Sequence, residues 1–329
     1  MKSPRVLAVG CILLALITRL TAGAQQSGTV RRIGWLGFGS STSLLPLAEP
    51  FRQRLRELGY VEGRNLAFEY RWADGRPERL PSLAAELVHL RVDLLVCGTQ
   101  PAPLACRKAT TTIPILTLVA LDPVGTGLAV SLARPGDNVT GLTWEVSPEL
   151  SQKQPELLKE ILPRLVHAAV LWDPTCRGLP AMLREAQVAA QKLGATLHPV
   201  AVSGPDDFEA AFAAIKKSRT GALIVLAHPL FYRHQRQIID FAATNHLLAI
   251  YFTREFVEGG GLMAYGPDQP ALYRRAAEYT DRIMKGAKPG DLPMEQPTKF
   301  ELVINRKTAK SLGLTIPPSL LVLAEQIIE

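Results

Sequence analysis

Polar side chains that could hold a small molecule follow the short apolar runs of this 329-residue chain. In parallel α/β sheets, ligands bind beyond the carboxyl ends of the strands, so the residues directly after each predicted strand are candidates for a site. They combine hydroxyls, carboxylates, an amide, an imidazole and aromatic rings, which suits a small polar molecule with an apolar part. The candidate ligand-binding residues are Phe38, Ser40, Ser41, Thr99, Gln100, Asp122, Trp144, Asp173, His228, Phe231, Tyr265 and Asp268.

Several of these residues have an equally good structural explanation. Asp122 and Asp173 each precede a proline, where aspartate commonly forms turns. Thr99 suits the position before a helix as well as a ligand contact, and Trp144 suits a core. His228 has no nucleophile motif nearby, so a hydrogen-bonded loop histidine explains it better than a catalytic base.

The chain lacks the motifs of the common cofactor, catalytic and metal sites. Gly37–Ser41 could hold a phosphate at a helix N-terminus, but the surrounding run lacks G-x-G-x-x-G order and no G-x-x-x-x-G-K-[ST] occurs. The carboxylates show no paired spacing for acid/base chemistry. Beyond residue 24 the cysteines are Cys97, Cys106 and Cys176, without C-x-x-C spacing, and the sequence does not choose between the disulfides that two of them could form. We therefore expect neither an enzyme nor a bound metal or cofactor.

The N-terminus predicts export. Two basic residues precede an apolar run over residues 6–20, and an A-x-A cleavage site ends at Ala24. The run is shorter than the roughly 20 residues of a membrane-spanning helix, and Arg19 interrupts it, which disfavours the alternative of an uncleaved anchor. A lipoprotein modified at Cys11 is disfavoured because most of the apolar run would then follow the cysteine. We expect cleavage after about Ala24 and a periplasmic mature protein.

Composition and charge exclude other classes. A hydrophobic fraction of 47% is enough for the cores of about two domains. The formal net charge is +7, from 37 basic and 30 acidic residues. Removal of the signal segment, which holds three basic and no acidic residues, leaves 34 against 30, or +4. Because this excess is small and scattered, we expect no nucleic-acid partner.

Predicted strands and helices alternate in two successive runs, the first from Arg32 to about residue 144 and the second from about residue 148 to Phe252. Strict alternation predicts parallel sheets with helices on both faces, and two runs predict two similar Rossmann-like lobes. The tail contains further strands at Leu262–Tyr265 and Phe300–Ile304 and a last helix from Ser319 to Ile328. These elements are too few for a third domain, so we expect the chain to cross several times between the lobes and to build a hinge.

The expected domains follow from this division. They are a signal peptide over 1–24, an N-terminal lobe of 25–144 with about 262–287, and a C-terminal lobe of 145–261 with about 298–329. A helical turn is also expected between Gly127 and Leu132.

Several segments resemble a known family, from about Arg32 to the C-terminus. The segments that carry the resemblance are Phe51–Gly63 (FRQRLRELGYVEG), Asp122–Gly125 (DPVG), Leu132–Gly141 (LARPGDNVTG), Ala168–Trp172 (AAVLW), Glu295–Asn305 (EQPTKFELVIN) and Thr308–Ser319 (TAKSLGLTIPPS). They are similar to the substrate-binding proteins of ABC transporters with the type I periplasmic-binding fold, in the group that binds tryptophan and other aromatic amino acids.

The resemblance implies a monomeric periplasmic receptor that closes its lobes around a small solute and delivers it to an ABC permease in the inner membrane. The implied solute is an amino acid, in this group an aromatic one. The resemblance implies that the α-carboxylate is held by hydroxyls and amides or by an arginine, and the α-amine by an aspartate. The residues suited to the carboxylate are Ser40, Ser41, Thr99 and Gln100, and those suited to the amine are Asp122 or Asp268.

Two other functions use the same scaffold. An exported two-lobe enzyme would need a base and a nucleophile close together, and the sequence shows no such pair. The ligand-sensing effector domain of a signalling system usually accompanies a DNA-binding helix pair or a transmembrane segment, and neither is evident.

Overall fold

The structure is a computed structural model that describes residues 30–99, 101–144, 148–176 and 178–329. The predicted signal peptide and Gln100 lie outside the described residues. Among the helices that are described, none is both long and apolar enough to cross a membrane.

A five-stranded parallel sheet forms the first lobe, with strand order β2-β1-β3-β4-β5. Its strands are β1 (Arg31–Gly37), β2 (Leu66–Trp72), β3 (Leu94–Thr99), β4 (Ile115–Ala120) and β5 (Val139–Thr143). The apolar run of β3 is buried between the helices on both faces of the sheet, as expected for a central parallel strand.

A seven-stranded sheet forms the second lobe, with strand order β12-β11-β10-β9-β8-β6-β7. Its strands are β6 (His167–Trp172), β7 (Thr196–Ala201), β8 (Ala222–Val225), β9 (Leu248–Tyr251), β10 (Met263–Pro267), β11 (Phe300–Asn305) and β12 (Gln326–Ile328). All neighbouring strands are parallel except β10 and β11, which are antiparallel.

Helices connect the strands and cover the two sheets. They are α1 (Ser41–Leu44), α2 (Glu49–Glu57), α3 (Leu80–His89), α4 (Ala102–Ala109), α5 (Pro148–Ile161), α6 (Leu179–Lys192), α7 (Asp207–Ser218), α8 (Pro229–Arg233), α9 (Gln235–Thr244), α10 (Arg254–Glu258), α11 (Gln269–Met284), α12 (Arg306–Ser311) and α13 (Pro318–Leu323). Helix α2 buries Phe51 and Leu55, which are four residues apart and so share one face. Shortly after this helix the chain reverses at Gly59, whose φ of +92° favours glycine.

The strand at residues 262–265 belongs to the second sheet, which corrects the expectation that residues 262–287 join the N-terminal lobe. Met263 and Ala264 pair in parallel with Ile250 and Tyr251 of β9. Helix α11, by contrast, packs on helix α2 of the first lobe, where the Tyr60 hydroxyl donates to the Asp281 carboxylate at 3.0 Å. The segment is therefore divided between the lobes, because strand pairing and helix packing act on its two halves separately.

The end of the chain also differs from the expected single helix over Ser319–Ile328. Helix α13 ends at Leu323, and β12 then pairs in parallel with β11, with Ile327 opposite Ile304. A β-branched pair at a sheet edge favours the strand over continuation of the helix. The helical turn expected between Gly127 and Leu132 is absent: a turn ends at Gly127, with φ of +73°, and the described chain after it is irregular up to Leu132.

The connections between the lobes form the expected hinge. The Glu295 amide donates to the Gly141 carbonyl at 3.0 Å, and the Thr143 amide donates to the Glu295 carbonyl at 2.9 Å, so this segment extends the edge of the first sheet. The same segment enters β11 of the second sheet a few residues later. Beside it, the Asp268 amide donates to the Lys299 carbonyl at 3.0 Å, which joins two of the crossings.

Candidate functional site

The two lobes meet at the carboxyl ends of their strands. The Arg233 guanidinium at the end of α8 donates from Nη2 to the Asp74 carbonyl at 2.8 Å, in the loop after β2. At a second point, a Cβ added to Gly178 would lie 3.9 Å from the Asp122 Cβ. Both contacts join residues of different lobes, so the cleft between the lobes is closed in this structure.

Asp173 is a buried carboxylate at the end of β6, with an exposed fraction of 1%. Its Oδ1 accepts from the Thr175 amide at 2.7 Å and from the Thr175 hydroxyl at 2.6 Å. This is the local turn that an Asp-Pro-Thr sequence favours. The other oxygen, Oδ2, lies 3.5 Å from His228 Nδ1.

His228 is the N-cap of helix α8, where its Nδ1 accepts from the Leu230 amide at 3.4 Å. Burial lowers the pKa of this imidazole, and the nearby Asp173 carboxylate opposes part of that effect. The neutral ring is therefore favoured near pH 7. With Nδ1 used as an acceptor, the proton of the neutral ring is on Nε2, which makes Nε2 a hydrogen-bond donor.

Phe231 packs behind this imidazole. It is fully buried, and its ring meets His228 edge-on at 5.8 Å and Phe208 edge-on at 6.2 Å between centroids. This packing supports the orientation of the imidazole, and a contact between Phe231 and a solute stays a prediction.

Asp122 lies in the opposite lobe at the end of β4, with φ of +41°. Its Oδ1 accepts from the Gly125 amide at 2.8 Å. Its Oδ2 would be 2.0 Å from a Cβ at Gly125, so the glycine leaves room for the carboxylate.

The carboxylates of the two lobes approach one thiol. Burial raises the pKa of Cys176, and the charges of Asp173 and Asp122 add to that effect. The backbone amides of Gly178 and Leu179 act in the opposite direction. Asp122 and Asp173, predicted separately from strand ends, are therefore brought to the same part of the cleft.

The residues proposed for a carboxylate lie at the ends of β1 and β3. Ser40 precedes α1, and its Oγ lies 3.0 Å from the Thr42 hydroxyl. Ser41 is the first residue of α1 and is half-buried. Thr99 is the last residue of β3.

The remaining aromatic candidates have different surroundings. Phe38 packs against the core of the first lobe. Tyr265 stacks on Phe300 with a centroid distance of 6.1 Å and an interplanar angle of 23°. The indole Nε1 atoms of Trp144 and Trp172, at the ends of β5 and β6, are buried and have no hydrogen-bond partner within the described parts of the chain.

Asp268 is placed apart from these groups. It caps helix α11, where its Oδ1 accepts from the Ala271 amide at 2.9 Å. It lines a cavity of about 290 Å³ at the hinge, together with charged side chains such as Arg275 and Glu295, and this cavity has no other described candidate residue in its wall. Arg275 and Glu295 are 2.7 Å apart and bind each other. The structure thus gives Asp268 a role in the hinge and leaves Asp122 as the better candidate for an amine.

Sequence reasoning missed the interlobe contact between Arg233 and Asp74. The rule that found the other candidates, inspection of residues after each strand, also applies to β2, which ends at Trp72. Asp74 and Gly75 follow this strand after Ala73. Arg233 lies in the helix after β8, five residues beyond His228.

Arg254 follows β9 at the same edge of the second sheet, and it is already paired. Its guanidinium forms two hydrogen bonds with the carboxylate of Glu301, which is only 5% exposed. This pair raises the pKa of Arg254. Among the described residues, no cluster of three or more His, Cys, Asp and Glu side chains could hold a metal ion.

Comparison with known proteins gives the family. The profile of the ABC transporter substrate binding protein family matches residues 33–328. The chain belongs to this family. Its two-lobe α/β architecture is that of type I periplasmic-binding proteins, as the segments in the sequence predicted.

Individual relatives of this substrate-binding protein cover most of its length. It is 25% identical over 264 residues to a tyrosine-binding protein from Clostridioides difficile, which covers 80% of this chain and 75% of the relative. A Streptococcus pneumoniae ABC domain solved in complex with L-Trp is 27% identical, with a TM-score of 0.83 over 91% of this chain and 100% of that one. A conserved domain protein from Vibrio cholerae is 28% identical, with the same TM-score and coverage.

Proposed function

We propose that this protein is the receptor of an ABC importer and binds an L-amino acid with an aromatic side chain between its lobes. The observation that carries this proposal is that the carboxyl ends of the strands in the two lobes face each other. Asp122 lies on one side of the cleft, and the buried Asp173 and His228 lie on the other. The family supports the role of a receptor. The tyrosine and tryptophan named for two relatives support the class of solute.

The α-amine of the solute is assigned to Asp122. This carboxylate lies at the seam between the lobes, whereas Asp268 caps a helix at the hinge. The Asp173 Oδ1 is already occupied by two hydrogen bonds from Thr175, which leaves Oδ2 and the Nε2–H of His228 to a second polar group of the solute.

The α-carboxylate is assigned to hydroxyls and amides at the ends of β1 and β3. The residues are Ser40, Ser41, Thr99 and Gln100. The aromatic part of the solute is assigned to four rings, which are Phe38 after β1, Trp144 after β5, Phe231 in α8 and Tyr265 in β10.

Closure of the lobes provides the signal to the importer. A solute that contacts both lobes binds the closed form more tightly than the open form, and this difference in affinity shifts the population towards closure. The contact between Arg233 and Asp74 adds to the closed form without contact to the solute. A permease in the membrane would recognise the closed surface of a monomeric receptor.

Export is part of this proposal. The mature chain is expected to begin at Gln25 and to reside in the periplasm. Sequencing of the N-terminus of protein recovered from a periplasmic extract tests this, and a chain that retains Met1 would contradict cleavage.

A thermal-shift assay of the chain from Gln25 onward tests the solute. The panel contains the L-amino acids, their D enantiomers, N-acetyl-L-tryptophan, sugars and nucleosides, after unfolding and refolding to remove co-purified ligand. A solute at 100 times its dissociation constant adds about 2.7 kcal/mol, which is a shift of several degrees. We expect shifts with L-tryptophan, L-tyrosine or L-phenylalanine and none with N-acetyl-L-tryptophan. A shift with an unrelated solute alone would support the role of a receptor and contradict an amino acid as its solute. No shift with any compound would contradict the proposal.

A matched pair of variants tests the amine contact. Asp122→Asn removes the charge opposite the amine and should weaken binding of the identified solute by about 1.5–3 kcal/mol. Asp240→Asn removes an exposed carboxylate that pairs with Arg236 on α9, away from the cleft, and should leave affinity unchanged. Equal affinity of both variants would remove Asp122 from the site.

A further inference from the structure

Two cysteine thiols lie against each other inside the first lobe. The Sγ atoms of Cys97 and Cys106 are 2.9 Å apart, and both residues are fully buried. Cys97 belongs to β3 and Cys106 to the helix α4 that follows it and packs on it. The separation exceeds the length of a disulfide bond by only about 0.9 Å.

We propose that Cys97 and Cys106 form a disulfide bond when the protein folds in an oxidising compartment. The backbone already holds both sulfur atoms in contact, so bond formation needs only a small movement of the side chains. The third thiol of the mature chain, Cys176, lies in the second lobe after β6 and is half-exposed. The structure therefore chooses one of the pairings that the sequence leaves open.

The bond forms by thiol–disulfide exchange with a disulfide oxidant. The thiolate of one cysteine attacks a sulfur of the oxidant, which gives a mixed disulfide and releases one thiol of the oxidant. The second cysteine then attacks the mixed disulfide, forms the Cys97–Cys106 bond and releases the other thiol. In total the protein loses two protons and two electrons, and the disulfide of the oxidant is reduced to two thiols.

Because both cysteines are buried in the folded protein, we expect the reaction to occur during folding and not after it. The pair is enclosed among apolar side chains of the first lobe, such as Leu36, Leu95 and Ile115. Burial raises the pKa of the Cys97 thiol well above its usual value, which disfavours the Cys97 thiolate in the folded protein. Both sulfurs are accessible to the oxidant only before β3 and α4 pack together.

The bond would stabilise a segment that belongs to the proposed site. The two cysteines are nine positions apart and enclose the segment from the end of β3 to α4, which includes Thr99 and Gln100 in the sequence. A crosslink at both ends of this loop restricts the unfolded chain and limits separation of α4 from the strand. Formation of the bond requires an oxidising environment, and neither the identity of the solute nor export of the chain enters the test below.

Refolding with a chemical oxidant tests the bond. The chain from Gln25 onward is refolded from denaturant with oxidised and reduced glutathione, or with excess reductant. It is then unfolded, treated with iodoacetamide and digested with trypsin. Cleavage after Arg91 and Arg107 releases one peptide, Val92–Arg107, that contains both cysteines. We expect this peptide to be two hydrogens lighter and unalkylated after oxidative refolding, whereas Cys176 is alkylated in its own peptide.

Variants and melting temperature complete the test. Cys176→Ser should retain the lighter peptide, and Cys97→Ser should lose it. The oxidised protein should melt about 4 °C above the reduced protein. Alkylation of both Cys97 and Cys106 after oxidative refolding would overturn the proposal, as would a bond to Cys176 or stable glutathione adducts in place of the internal bond. The peptide mass of the unaltered protein decides the result even where Cys97→Ser does not fold.

Discussion

The hydrogen bond between Arg233 and the Asp74 carbonyl gives a quantitative test of lobe closure. It joins α8 of the second lobe to the loop after β2 of the first lobe at 2.8 Å, and opening of the cleft would break it. A charged donor to a carbonyl contributes about 1.5–3 kcal/mol when buried, but Arg233 is exposed, so we take about 1 kcal/mol. Because the solute stabilises the same closed form, Arg233→Ala should weaken solute binding about fivefold.

Gly75→Ala should produce the same loss of affinity by another route. A Cβ at Gly75 would lie 1.2 Å from Arg233 Nη2, and the flexible guanidinium would have to move away and give up its hydrogen bond. The φ of +71° at Gly75 adds backbone strain of about 1–2 kcal/mol, which is present in the open and closed forms and therefore lowers folding stability without changing affinity.

The control for this strain is Gly194→Ala. Gly194 has a φ of +70°, and a Cβ there would meet no heavy atom within 4 Å. It should lose the same folding stability as Gly75→Ala in urea denaturation but keep the original dissociation constant for the solute.

Isothermal titration calorimetry with the solute identified by thermal shift provides the assay. The double variant Gly75→Ala/Arg233→Ala should bind about fivefold more weakly than the original protein and not about 25-fold, because both changes remove one interaction. Additive losses, or unchanged affinity in either single variant, would refute a closure contact between Arg233 and Asp74.

Three further predictions concern single positions. Gly141→Ala should lower the free energy of unfolding by about 3 kcal/mol in urea denaturation, because a Cβ there would be 2.2 Å from the rigid Thr117 carbonyl. His228→Gln should flatten the dependence of folding stability on pH below about 6.5: burial lowers the pKa of the folded His228, so the unfolded chain binds more protons in this range and stability is lost as the pH falls. Gly125→Ala should weaken solute binding by displacing the Asp122 carboxylate, as measured by calorimetry.

Each of these predictions has a matched control. Gly127→Ala, at φ of +73° with no neighbour within 4 Å of an added Cβ, should cost less stability than Gly141→Ala. His89→Gln changes an exposed histidine and is the control for His228→Gln, because it should not flatten the dependence of folding stability on pH. Gly204→Ala adds a methyl group in open space and should leave affinity unchanged. Equal effects in a variant and its control would contradict the stated cause.

Local patterns were enough to predict the alternating strands and helices and the two lobes. Apolar runs such as Leu94–Val96 mark buried parallel strands by composition alone. The same reasoning placed Asp122, Asp173 and His228 at strand ends, and the structure puts these residues there.

The placement of particular side chains was decided by tertiary structure. Asp268 follows a strand as Asp122 does, yet it caps α11 and faces the hinge cavity. Its strand, β10, joined the second sheet because its residues pair with β9, while the helix after it packs on the other lobe. Neither pairing can be read from a short window of sequence, because β9 and α2 are separate elements and α2 belongs to the other lobe.

The sequence and the tertiary structure also determine different properties of the candidate site. The sequence by itself determined the family, the alternation of elements and the residue types available at the strand ends, since each depends on neighbouring positions. Only the tertiary structure decided that Arg233 reaches Asp74, that Asp122 faces Gly178 and that Cys97 touches Cys106. The physical reason is that hydrogen bonds and sulfur contacts depend on distances of a few ångströms, which are set by the packing of whole sheets and helices.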